Sequence, residues 1–165
     1  MDFAEMKNNS QFKTMRHIET VRNYLNVIIK ELISRGETHD QSKLQEPELS
    51  IFNEYTPKLR GVTYGSDEYK KNMTEMATAI NHHNKCNRHH PEHFENHLEG
   101  MNLIDLIEML CDWKSATLRH ADGDIYKSLE INHIRFQFSD ELKTILKNTM
   151  DWMENQKVNH CGGES

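Results

Sequence analysis

Histidines and carboxylates are the residues of this sequence with chemistry to offer. Of its eleven histidines, five fall between His82 and His93. His39 and Asp40 are adjacent, and Lys43 follows three residues on. Imidazole nitrogens combined with carboxylate oxygens suit a divalent transition metal: Mn, Fe, Co, Ni or Zn, as one ion or two. His82-His83 is a second histidine pair, able to ligate or bridge a further ion. The run Asn87-Arg88-His89-His90-Pro91-Glu92-His93 adds donors suited to an anionic substrate, with Arg88, His89 and His90 as candidate phosphate contacts.

A third constellation is acidic. Asp105, Glu108 and Asp112 recur at spacings of three and four, and Arg119 extends the stripe by seven. Their neighbours are Leu103, Ile104, Leu106, Ile107, Met109, Leu110, Cys111, Trp113, Ala116 and Leu118, which cover most of a helix circumference. Buried carboxylates are costly unless paired or bound to metal. The alternative is a solvated stripe on a half-buried helix.

These residues need helices to hold them. Phe12, Met15, Ile18, Val21, Leu25, Ile28, Ile29 and Leu32 share one helical face that carries His17 at its edge, and Gly36 suits the position just past its end. A second helix is expected from Ser42 through Leu44, Glu48, Ile51, Phe52 and Tyr55, with Pro57 helping to end it. Residues 58–66 read as a loop. Ser66 is placed to cap a third helix that runs through Tyr69, Met73, Met76 and Ile80 into His82 and His83. Asn102 caps a fourth over 103–120. The turn Asp122-Gly123-Asp124 precedes a short helix over 125–134, and Ser139 starts a last one with Leu142, Ile145, Leu146 and Met153.

Composition narrows the function classes. A net charge of −6 with no basic block makes nucleic acid the least favoured partner. Three cysteines, Cys86, Cys111 and Cys161, form no CxxC pair and suit free thiols in a reducing cytoplasm. No apolar run approaches the roughly 20 residues of a membrane span, and none resembles a signal peptide.

The order His17 … His39-Asp40 … Asp112 resembles the HD superfamily of metal-dependent phosphohydrolases. The string HDQSK resembles its HD-x-x-K form, which implies Lys43 near the phosphate. His82-His83 before a polar loop and Pro91 resembles the His-His element of bimetal members. The loop lacks the GYP string of the branch that cleaves cyclic dinucleotides. HDQSK, NRHHPEH and LIEMLCDWKSAT…RHxDGD are similar to an HD-like family of bacteria and phages with no assigned substrate, over about residues 15–150.

The resemblance implies an all-α, single compact HD-domain-like bundle of about six helices over 12–154. A flexible N-terminus at 1–11 and a disordered tail at 155–165 flank it. It implies His17, His39, Asp40 and Asp112 around a first metal, and His83, with or without His82, at a second. The implied activity is hydrolysis of a small-molecule phosphate, a nucleotide or a related ester. Lys43, Arg88, His89, His90 and Arg119 would face the phosphate, and Glu108 or His93 would relay a proton. The alternatives are a di-iron oxygenase on the same scaffold and a non-catalytic nucleotide binder. Homo-oligomerisation is left open.

Overall fold

Asn9 starts the first helix. Its side-chain oxygen accepts the backbone N–H of Gln11, satisfying one of the donors that a helix start leaves open. Helix α1 then runs unbroken over Ser10–Thr38, so it begins inside the stretch expected to be flexible. It also passes through Gly36, where an end was expected. An internal glycine costs only about 1 kcal/mol, and the last turns have local support. Arg35 pairs with Glu31 at 2.9 Å, and the Thr38 hydroxyl donates to the Ser34 carbonyl at 2.9 Å.

The computed structural model describes residues 9–59, 62, 66–118 and 123–156. Residues 1–8, the turn residue Asp122, and the tail from 157 onward lie outside them. Among the described residues there are seven α-helices, three 3-10 turns and no strand. The all-helical expectation holds. No helix is long and apolar enough to cross a membrane.

After α1 the chain turns at Asp40, which takes the left-handed conformation with φ 57°. A 3-10 turn, Gln41–Leu44, follows, and α2 spans Glu48–Leu59. This helix begins later than expected from Ser42. Pro47 explains the delay: proline disfavours helical backbone at the residue before it, here Glu46. The single helix expected after Ser66 is two helices, α3 at Asp67–Glu75 and α4 at Ala77–Cys86. Thr74 donates its hydroxyl to the Lys70 carbonyl, a back-bond of the kind that bends helices, just before the break at Met76. Among the described residues this split takes the helix count from the expected six to seven.

The chain divides into two compact units after His83, within α4. In the first unit, α2 packs on the 3-10 turn and on α3. Its buried residues are Met76 and Ala79 together with the polar Glu48, Asn72 and His83. An interior so rich in polar groups needs hydrogen-bond partners throughout.

The second unit holds α5 at Leu103–Thr117, α6 at Ile125–Phe136 and α7 at Asp140–Glu154. Met109, Leu110, Ile125, Leu129, Phe138, Leu146 and Met150 form its core. Each large apolar side chain there contributes about 1.5–3 kcal/mol of burial energy. Asn102, Asp124 and Ser139 cap the three helices with their side chains.

Candidate functional site

Glu48 opens α2 and is completely buried, a costly place for a carboxylate. Three side chains answer it. His82 Nδ1 lies 2.7 Å from Oε1, His83 Nδ1 lies 2.8 Å from Oε2, and the Ser42 hydroxyl donates to Oε2 at 3.0 Å. Adjacent residues on a helix point in different directions, yet both histidines reach Glu48 because each takes a different oxygen. Burial pushes the Glu48 pKa up. The hydrogen bonds from His82, Ser42 and His83 outweigh that and hold it below the usual value.

The other nitrogen of His83 meets Asp40, with Nε2 at 3.2 Å from Oδ1. Lys43 Nζ lies 2.6 Å from the second oxygen, Oδ2, and His39 Nε2 lies 3.5 Å from the same atom. Burial again raises the Asp40 pKa. The bonds from His83 and Lys43, then the charges of Lys43 and His39, override it and keep the carboxyl well below the usual carboxylate range. Phe52 walls this cluster: its ring stands edge-on to His83, and the Lys43 ammonium lies 5.6 Å from its centroid.

This geometry fits a cation. Glu48 is ionised and can only accept, so Nδ1 of His83 is the donor; that tautomer is assigned from the bonding pattern. In a neutral ring, Nε2 would then present a lone pair to an ionised carboxylate oxygen 3.2 Å away. That contact is repulsive unless a proton or a metal ion supplies positive charge there. A histidine that gives one N–H to a buried carboxylate and turns its other nitrogen outward is the arrangement by which proteins orient metal-ligating imidazoles.

The second unit repeats part of this pattern. His89 is buried, and its Nδ1 lies 3.0 Å from Glu108 Oε1; its ring centroid is 4.1 Å from that of His90. Asp105 is fully buried and accepts both Nε and Nη2 of Arg88, at 3.0 and 2.9 Å. It also accepts the Asn102 N–H, completing the cap of α5. The acidic stripe is therefore paired, not solvated, at Asp105 and Glu108. Asp112, half-buried, continues it along α5. His93 Nδ1 lies 3.3 Å from the Asn84 carbonyl.

Within the first unit the structure gathers His39, Asp40, Lys43, His82 and His83 of the expected site residues. His17 is not among them. It stands exposed on α1, and the unbroken helix puts it about 33 Å along the axis from His39 in the same chain. Arg88 turns its fork onto Asp105. Arg119 lies outside the described residues. Sequence reasoning missed Glu48 and Ser42. The signal for Glu48 was present but weak: an acid on an otherwise amphipathic helix, next to a proline and soon after the His-Asp pair.

Fold and site together define an all-helical protein whose first unit holds a carboxylate-oriented histidine facing a second carboxylate. The chain belongs to the family described as "Family of unknown function (DUF5662)", which matches residues 6–157. No curated protein and no solved structure matches it.

Proposed function

We propose that this chain is a metal-dependent phosphohydrolase acting on a nucleotide or a related phosphate ester. The observation that carries the proposal is His83, fixed by buried Glu48 at Nδ1 and facing Asp40 at 3.2 Å through Nε2. Asp40 and His83 would hold a divalent transition ion from the first unit, with His39 beside the other Asp40 oxygen at 3.5 Å. When bound, such an ion supplies Lewis acidity at a phosphoryl oxygen and makes hydroxide available near neutral pH.

The chain's own residues do the rest. Glu48 keeps the His83 ring from rotating. Asp40 stays ionised as an oxygen donor. The Lys43 ammonium beside it neutralises charge that develops on phosphate oxygens. The resemblance of HDQSK to the HD-x-x-K form of phosphohydrolases supports the reading. Cys86 and Cys111 stand in no disulfide, which suits a cytoplasmic location.

The test begins with elemental analysis of protein purified without added metal. A nucleotide panel then follows phosphate release with Mn²⁺ and with chelator. Release that needs the cation, and is lost in Asp40→Ala, is the expected result. Full metal stoichiometry in Asp40→Ala overturns the ligand assignment. Oxygen consumption with Fe²⁺ and no phosphate release anywhere in the panel overturns the reaction.

A further inference from the structure

α1 is out of balance with the rest of the chain. It has 29 residues and buries none of them. Ten of the nineteen large apolar side chains exposed among the described residues belong to it. Helices in folded proteins draw most of their stability from packing an apolar face, and a long exposed apolar strip marks an interaction surface.

The spacing of that strip names its partner. Ile18, Val21, Leu25, Ile28 and Leu32 alternate steps of three and four, the seam of a two-helix coiled coil. Met15, Ile29 and Ile33 widen the seam along one side. From Phe12 to Ile33 the strip runs about 32 Å. The other described helices have 9 to 15 residues, or about 14–22 Å, and none covers the strip end to end. The helix that matches it in both length and repeat is α1 of a second copy.

We infer that the chain forms a homodimer through its α1 helices, paired along the face centred on Leu25. The metal reading plays no part in this. In such a pair the seam residues leave water, while Lys30 on the opposite face stays solvated.

Sedimentation of the full chain over a wide concentration range tests it. Wild type should run at twice its 19.5 kDa chain mass. The double variant Leu25→Asp/Ile28→Asp should associate about a hundredfold more weakly or run as a monomer. Lys30→Glu, which alters charge on the same helix away from the seam, should remain dimeric and control for folding. A monomeric wild type overturns the inference. A dimer that survives the double variant overturns it too.

Discussion

Asp40 occupies a conformation that costs an ordinary L-residue about 1–2 kcal/mol. Aspartate tolerates it better than most, and here the surroundings hold it: its carbonyl accepts the Lys43 N–H at 2.9 Å while its carboxylate is flanked by Lys43, His39 and His83. Strain at a polar cluster is characteristic of functional positions. Asp40→Asn preserves the shape and the tolerance for the left-handed region but removes the charge. Its metal content under limiting Mn²⁺ should fall at least tenfold, as read by elemental analysis after gel filtration, while circular dichroism keeps the wild-type helical signal. Glu48→Gln probes the residue behind His83. It loses charge-assisted bonds from a buried position and should cost about 2 kcal/mol in urea unfolding. On the proposed reading Glu48 orients His83 without contacting the ion, so Mn²⁺ affinity should also drop about 10–100-fold without abolishing binding. An unchanged affinity would reduce Glu48 to a structural role.

At the scale of elements, much was legible because caps and breakers act locally. Ser66, Asn102 and Ser139 each cap the helix their position suggested. Other features depend on contacts distant in sequence. Glu48 becomes part of the site only when α2 brings it to two histidines 34 and 35 residues away. His17 read as a ligand because it lies upstream of the His-Asp pair, but a continuous helix carries it away along its axis. Two backbone positions give direct tests. Gln137 closes α6 with φ 51°, its N–H bonded to the His133 carbonyl at 2.9 Å. Gln137→Gly, free of the Cβ penalty at this cap, should stabilise the protein by about 1 kcal/mol. Gly100 is the opposite case: a Cβ there would lie 2.7 Å from Cβ of Phe94. Gly100→Ala should cost about 1–3 kcal/mol, and both variants can be read from urea midpoints at constant slope.

For the whole molecule, the two units have different interiors, and that difference decides where a ligand acts on stability. The second unit buries a continuous apolar core from Met109 to Met150. Among the described residues, the first buries Glu48, Asn72 and His83 beside Met76 and Ala79. With so little apolar surface withdrawn from water, the first unit depends more on its polar cluster, and an ion bound there stabilises only the folded state. At a hundred times Kd such an ion adds about 2.7 kcal/mol, worth about 5–10 °C in melting temperature for a chain of this length. Chelation should therefore lower the melting temperature of the purified protein by that amount, and Mn²⁺ should restore it. In Asp40→Asn neither treatment should move it. Calorimetry adds a second readout. If the first unit melts as its own transition, the metal-dependent shift belongs to that transition, and the one governed by the Met109–Met150 core stays in place. A shift confined to the second transition would remove Asp40 and His83 from the ligand set.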